Sequence, residues 1–581
     1  MSIASSVAFA VAKPKLTSWR GGGTSVWLPS GSLALVLAIL IVPPIIFLIY
    51  TSVTIAERTG ETIFTLDHFR SIIQNKRLYV SAWNSFVFSA LATIFSILLG
   101  GPLAWVVERT NAPFRPLAYV TVVVSLGSPG ILYVAAWQFI LGRQGPLNEL
   151  FQTITGAKAL LVEVHSMLGM VLIQGVLWSP LVFLLLSATF RRSNAELEEA
   201  ARISGASVLA TVWRVSFRLA LPTIVGMAMF VFIRNLESFD VPILIGFPGD
   251  ILLLTSDIYL AMSRNPPQMG LASAFSVVLI ACLAVLMYYH ARFAQSADRY
   301  ASVTGKGFRP RPFDLGRWRW IGGAIVIGYF TLVFVLPLIV MIWNSLMPYI
   351  RPMRWSAVGM LSFDNYGIVF SHSHYMGLAK NTIVAAAAAA TITMALTTAA
   401  GWLVVRQWPG SRVIEQLVAA PIVFPGIVLG VALVIVALRA PLPLYGTLAV
   451  IVMAFVIRYM PFGMRYIHSG VLQIHRELEE AGGAAGASQW EILRRIVVPL
   501  LLPAVASGWV FVFLIGANEL SMSVLLAGPR SQVMAVAMFE LWSNGQSGEV
   551  YALGMLWTLF MTSCALIFYL FARKTVGAVS A

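Results

Sequence analysis

An all-α membrane protein of two tandem six-helix halves, with about 12 transmembrane helices, is the fold that this sequence predicts, and three observations predict it. Of its 581 residues, 59% are hydrophobic and only 11% are charged, whereas a soluble chain carries about 25% charged residues. Twelve apolar runs are each long enough to cross a bilayer, which takes about 20 residues in helical form. Polar landmarks of the first six runs then recur, in order, in the last six.

The runs fall near 32–54, 81–107, 117–142, 164–190, 220–244 and 268–291, and near 320–346, 379–405, 414–438, 447–471, 501–524 and 547–572. They are far longer than the roughly ten residues of a barrel strand, so only helices satisfy the backbone in lipid. The stretch up to Ser30 is polar and Gly-rich and holds no signal-peptide core, so the run beginning at Ser32 reads as an uncleaved first helix. Cys282 and Cys564 lie inside apolar runs, with neither disulfide nor metal-ligand spacing. Both read as small apolar filler.

The formal net charge is +15, from 39 Lys and Arg against 24 Asp and Glu. Its placement argues against nucleic acid as a partner. Basic residues crowd the N-terminus (Lys13, Lys15, Arg20), the middle (Arg292, Arg299, Lys306, Arg309, Arg311, Arg317, Arg319) and the C-terminus (Arg573, Lys574). Short basic segments beside apolar spans mark the cytoplasmic side of a membrane. All three then share that side, which requires an even number of spans per half. The expected organisation is a cytoplasmic tail over 1–31, a first half over 32–291, a basic linker over 292–319, a second half over 320–573 and a cytoplasmic tail over 574–581.

The repeat is legible residue by residue. Asp67, Asn84, Trp105 and Arg109 match Asp364, Asn381, Trp402 and Arg406 at an offset of 297. Pro129-Gly130-Ile131 meets Pro425-Gly426-Ile427 at 296, and Pro180 and Phe230 meet Pro461 and Phe511 at 281. The first half therefore carries an insertion of about fifteen residues around Gly142 to Glu163, on the side away from the cytoplasm. This is a parallel duplication.

Between the fourth and fifth spans of each half lies the strongest polar repeat. It reads Glu196-Leu-Glu-Glu-Ala-Ala-Arg-Ile-Ser-Gly205-Ala-Ser207 in one half and Glu477-Leu-Glu-Glu-Ala-Gly-Gly-Ala-Ala-Gly486-Ala-Ser488 in the other. Each is followed by a basic amphipathic stretch and a proline, Pro222 or Pro503. The pattern predicts a short helix with acidic residues early, where the dipole favours them, and small residues at Ala200, Ala201 and Ala481 that admit a close partner. Gly205 and Gly486 supply the positive φ that ends the helix and turns the chain. Gly482 and Gly483 should loosen the second loop relative to the first.

These loops resemble the EAA loop of ABC-importer permeases: Glu-Ala-Ala, three residues, Gly, then a hydrophobic-Pro ending. The resemblance implies a permease of the bacterial inner membrane, with both termini cytoplasmic. It implies an ABC ATPase dimer docked at Glu199, Ala200, Ala201 and Gly205 and at Glu480, Ala481 and Gly486, and a periplasmic or extracellular solute-binding protein as a further partner. Two departures stand out: Gly482 replaces the second alanine of the second loop, and Arg218 stands where the second half has Pro499. The double length resembles ferric-iron permeases, as does Asn518-Glu-Leu-Ser-Met-Ser-Val-Leu-Leu-Ala-Gly-Pro529, with thiamine, polyamine and phosphonate systems as relatives.

No G-x-x-x-x-G-K-[ST] loop occurs, so ATP would be held by the partner and no cofactor by this chain. No nucleophile–base constellation points to an enzyme. A twelve-span secondary transporter would not need duplicated acidic-Gly loops. Glu237, Asp240, Asn518 and Glu519 sit in or beside apolar sequence, where ionisable groups face a cavity, a pathway or a partner. In one reading they line a translocation path suited to a hard cation. In the other they lie at the membrane boundary or pair with Arg234. His165, His290 and His372 sit near span ends and read as interfacial.

Overall fold

The protein is described by a computed structural model covering residues 28–56, 62–74, 76–192, 195–297, 313–441 and 443–579. The basic residues Lys13, Lys15 and Arg20, and Arg299, Lys306, Arg309 and Arg311 of the expected linker, lie outside the described residues.

Among the described residues ten helices are long and apolar enough to cross a bilayer, and three helix pairs reach that length together, although each is bent by more than 40°. The continuous spans of the first half are Ser30–Ser52 (within the helix Leu28–Ser52), Lys76–Arg109, Met167–Arg191, Val212–Leu236 and Met269–Phe293. Those of the second are Gly316–Leu346, Ser373–Val405, Leu448–Leu472, Gln489–Ala517 and Ser547–Phe568. The chain is thus an all-α, multi-pass membrane protein in two matching halves.

The third apolar run of each half folds as two helices with a break between them. Arg115–Ser125 and Gly130–Ile140 meet at 116°, and Ser411–Val423 and Gly426–Arg439 at 109°. The matched Pro-Gly pairs, 129–130 and 425–426, sit at the breaks, where proline has no N–H to continue the ladder. The fifth span differs in its bounds. The helices end at Leu236 and Ala517 rather than near 244 and 524. In the first half the chain then folds back as Pro242–Gly249 and Leu254–Ser263, bent at 86°. In the second, the short helices Ser523–Leu526 and Met534–Ser543 occupy that place.

The two halves exchange their first helices. Leu28–Ser52 packs on Ser411–Ala419 and Gly426–Arg439 of the second half as well as on Met269–Ala297. The guanidinium of Arg439 lies 5.3 Å from the Phe47 ring centroid and 5.1 Å from that of Tyr50. In return, the segment 319–346 packs on the first half, where Tyr133 Oη donates to Val333 O at 3.2 Å and Ser179 Oγ lies 3.0 Å from Tyr329 Oη. The first-half insertion holds a helix, Pro146–Thr155. Asn148, fully buried, fastens it by donating to Leu141 O, Gly142 O and Val162 O and accepting from the Leu161 and Val162 amides.

Candidate functional site

The duplicated loops fold as the sequence anticipates. The first contains the helices Ala195–Ile203 and Val208–Thr211, the second Arg476–Ala484 and Gln489–Ile492. Between them Gly205 has φ +84° and Gly486 φ +87°. Each first helix ends in the same wrapped turn, with Ala206 N donating to Ala201 O at 3.0 Å and Ala487 N to Gly482 O at 3.1 Å. Ser488 and Glu491 form a capping box at the start of the next helix. Both loops then continue into a π-helical turn at matched positions, Val212–Ser216 and Leu493–Val497.

The acid that each loop turns inward is Glu198 or Glu479, the residue before the docking candidates Glu199 and Glu480. Glu199 is half-buried and Glu480 exposed, as are Ala200, Ala481, Gly205 and Gly486, while Ala201 is half-buried. Glu198 instead points inward to Arg109 at the end of helix 76–109, with both side chains only 2% accessible and Arg109 Nε 3.0 Å from Oε2. Arg406 holds Glu479 in the same way through Nε at 2.8 Å and Nη2 at 2.6 Å. Arg109 and Arg406 are matched landmarks of the repeat, and so are Glu198 and Glu479; a repeated arginine at the end of an apolar helix calls for a repeated acid. That signal was present in the sequence. Among the described residues Glu480 pairs with its neighbour Arg476, at 3.1 Å on the surface.

The remaining carboxylate oxygen is satisfied differently in the two halves. Ser216 Oγ donates to Glu198 at 2.7 Å, whereas Trp402 Nε1 donates to Glu479 at 3.0 Å. The matched Trp105 Nε1 is buried without a hydrogen-bond partner among the described residues, and its ring packs 6.0 Å from that of Phe313. Nor do the glycines of the second loop simply loosen it. A Cβ on Gly482 would stand 2.6 Å from Ile496 Cδ1, so this glycine admits a larger neighbour. The first half carries Ala201 and the shorter Val215 at the matching positions.

The second region lies where the halves meet. Glu237 Oε2 accepts from Arg234 Nη1 at 2.7 Å and from Arg458 Nη2 at 2.6 Å. Pairing with Arg234 is therefore realised, but the second arginine comes from the other half and was missed. Arg458 is a cation midway along an apolar span, and that was a signal for a partner. It also donates to Phe424 O at the break of the bent helix, where the chain has a free carbonyl. Glu519 accepts from Tyr459 Oη at 2.7 Å and from Ser521 Oγ. Asn518 is drawn elsewhere, donating to Leu514 O at 3.1 Å and accepting from Trp557 Nε1 at 3.2 Å.

Asp240 and Glu519 occupy equivalent places against the bent helices. A Cβ on Gly130 would meet Asp240 Oδ2 at 2.6 Å, and one on Gly426 would meet Ser521 Oγ at 2.0 Å and Glu519 Oε1 at 3.2 Å. Each carboxylate thus lies at the N-terminus of a helix, where the dipole favours negative charge. The structure brings Glu237, Asp240 and Glu519 into one electrostatic neighbourhood with Arg234 and Arg458 and leaves Asn518 outside it. Among the described residues no three His, Cys, Asp or Glu side chains are grouped so as to hold a metal. His165 serves the fold, with Nδ1 3.1 Å from Ile245 O.

Comparison with known proteins fits this geometry. A ferric transport system permease protein, FbpB of Actinobacillus pleuropneumoniae, is 25% identical over 496 residues, covering 84% of this chain and 70% of its own. The spermidine/putrescine transport system permease protein PotB of Haemophilus influenzae is 27% identical over 256 residues, covering 42% of this chain and 86% of its own. Among solved structures, a bacterial ABC transporter that imports alginate matches 46% of this chain and 98% of its own, at 15% identity and a TM-score of 0.36. The family model for the binding-protein-dependent transport system inner membrane component matches twice, over residues 79–298 and 391–577. With one copy of that unit in each half, the chain belongs to this family of inner-membrane permeases and is a fused, double-length member of it.

Proposed function

We propose that this permease carries a cationic solute, ferric iron in the first instance, into the cytoplasm with energy from a separate ATPase dimer. One ATPase subunit sits on each of the two helix–Gly–helix loops, at Glu199, Ala200, Ala201 and Gly205 and at Glu480, Ala481 and Gly486. The observation that carries this reading is the duplicated loop, whose small exposed residues face outward while a buried Arg–Glu pair fixes its inner side. The loops and both termini then lie in the cytoplasm, and a binding protein delivers cargo on the opposite face. Asp240 and Glu519, the two carboxylates of the inter-half cluster with no arginine hydrogen bond among the described residues, favour a cation.

A second reading of the cargo, a polyamine, is favoured by the likeness to a spermidine/putrescine permease, and it keeps the same charge logic. The test is reconstitution in proteoliposomes with an ABC ATPase and a solute-binding protein from the same organism. ATP-dependent uptake of ferric iron, competed by neither thiamine nor a phosphonate, is the expected result. ATP-driven uptake by the chain alone would overturn the ATPase reading. Uptake of spermidine in place of iron would overturn the cargo and leave the machine intact.

A further inference from the structure

Two helices, Lys76–Arg109 and Ser373–Val405, stand at matched places in the repeat, and each is fastened at both ends by matched polar side chains. At one end Arg109 and Arg406 hold the loop acids Glu198 and Glu479. At the other, Asn84 Nδ2 donates to Leu252 O at 3.2 Å, and Asn381 Nδ2 donates to Arg530 O and Gln532 O at 3.1 Å each. The next residue repeats the pattern, because Ser85 Oγ accepts from Leu254 N at 3.0 Å and Thr382 Oγ1 from Met534 N at 2.8 Å. These backbone groups belong to the segments that fold back after the fifth span, the same segments that begin with Asp240 and with Glu519.

The spacing is the same in both halves. Twenty-five residues separate Asn84 from Arg109 and Asn381 from Arg406, about 38 Å at 1.5 Å per residue. Between the clamps, each helix packs along its partner, Met167–Arg192 in one half and Leu448–Leu472 in the other. In the first half the packing is reinforced by a buried chain: Gln174 Nε2 donates to Asn235 Oδ1 at 2.9 Å, and Asn235 Nδ2 donates to Thr93 Oγ1 at 3.1 Å. Thr255 Oγ1 donates to Ser238 O at 2.8 Å, which ties the returning helix to the carboxylate segment itself.

We infer that these two helices are rods that carry displacement of the docking loops to the folded-back segments bearing Asp240 and Glu519, with Arg109 and Asn84, and Arg406 and Asn381, as the positioning residues at their ends. A helix locked at one end only would pivot in its groove; locked at both, it moves the far segment with the loop. The rods differ in stiffness. Pro102 interrupts the first, whereas the second runs through Val384 and six alanines with no proline. The inference rests on the reading of the loops as ATPase docking sites.

The test uses the full transporter assembled with its ATPase. Spin labels at the exposed positions Ile203 and Phe247, in a Cys282→Ser/Cys564→Ser background, report the length of the first rod. A label pair at Phe247 and Arg530 reports the separation of the two outer segments. Trapping with ATP and vanadate should change the second distance and leave the first unaltered. A change in the first as large as that in the second would overturn the inference. In the Asn84→Ala/Asn381→Ala variant, ATPase binding and basal hydrolysis should persist, while stimulation of hydrolysis by the binding protein falls about tenfold, a coupling loss of ordinary size. Undiminished stimulation in a variant that binds the ATPase would equally overturn it. Failure of the unaltered chain to bind the ATPase would instead remove the docking reading, and the rods with it.

Discussion

Glu237 of the first half and Arg458 of the second meet, buried, at 2.6 Å where the halves join, and the half-buried Arg234 completes a triad with them at 2.7 Å from Glu237. The carboxylate lies between two guanidiniums, so it is neutralised within the fold rather than offered to a solute. Arg458 does two things at once, since it also holds the Phe424 carbonyl freed by the break at Pro425. Its substitution therefore removes an ion pair and exposes a backbone group that lipid cannot satisfy.

Arg458→Met should be strongly destabilising. Breaking a buried pair by removing one partner costs about 3–5 kcal/mol. Glu237→Gln should be destabilising in the same range, because it leaves two arginines facing a neutral amide. In a double-mutant cycle read by thermal unfolding in detergent, the double variant should lose much less than the sum of the singles. Additive losses would show that the two side chains act independently.

The two loop anchors should respond differently to the same substitution. Trp402→Phe removes a hydrogen bond to the charged Glu479 and should cost about 1.5–3 kcal/mol. Trp105→Phe removes an indole N–H that has no partner among the described residues, and should be close to neutral. Ser216→Ala is the first-half equivalent of the Trp402 change and should match it in size. Limited proteolysis of the loops, or co-purification of the ATPase, reads all three.

Much of this architecture was legible in the sequence, for physical reasons that differ by element. Apolar runs of span length and the Asn84/Asn381 and Arg109/Arg406 matches were visible because duplication preserves both spacing and polar identity. Gly205 and Gly486 were read correctly because only a positive φ turns the chain there. The break within each third span was not anticipated, because hydropathy does not register a Pro-Gly break inside an apolar run. The folded-back segments at 242–263 escaped because each of their helices is too short to count as a span. The partnership of Glu237 with Arg458 joins residues 221 apart in the chain. No local pattern encodes that contact.

A volume exchange between the halves gives a third prediction. Gly482 faces Ile496, while the matched positions carry Ala201 and Val215, so one carbon has moved from one side of the contact to the other. Gly482→Ala alone drives a methyl against Ile496 Cδ1 and should cost about 1 kcal/mol, partly offset by the gain in helix propensity. Gly482→Ala with Ile496→Val reproduces the first-half pairing and should match or exceed the parent in stability. Thermal unfolding of the two variants decides it, and a double variant weaker than Gly482→Ala would show that the loops are packed on different principles.

The last prediction separates cargo selection from stability within one cluster. Glu237 is bound by two arginines, but among the described residues Glu519 is held by the neutral donors Tyr459 and Ser521, and Asp240 lies against the Gly130 helix terminus. Carboxylate oxygens whose charge a passing cation would stabilise therefore reside on Asp240 and Glu519. Asp240→Asn and Glu519→Gln keep shape while removing that charge, so both should fold and bind the ATPase as the parent does. Between unit charges about 4 Å apart, attraction near a protein surface is worth about 4 kcal/mol, so a loss of cation uptake of about tenfold is a modest expectation for each. Glu237→Gln should show the opposite pattern, with a lowered unfolding temperature and uptake falling only as folded protein falls. The measurement is initial uptake per assembled complex, set beside the unfolding temperature of each variant. Normal cation uptake by both Asp240→Asn and Glu519→Gln would mean that these carboxylates serve the bent helices alone, as fixed anions at their N-termini.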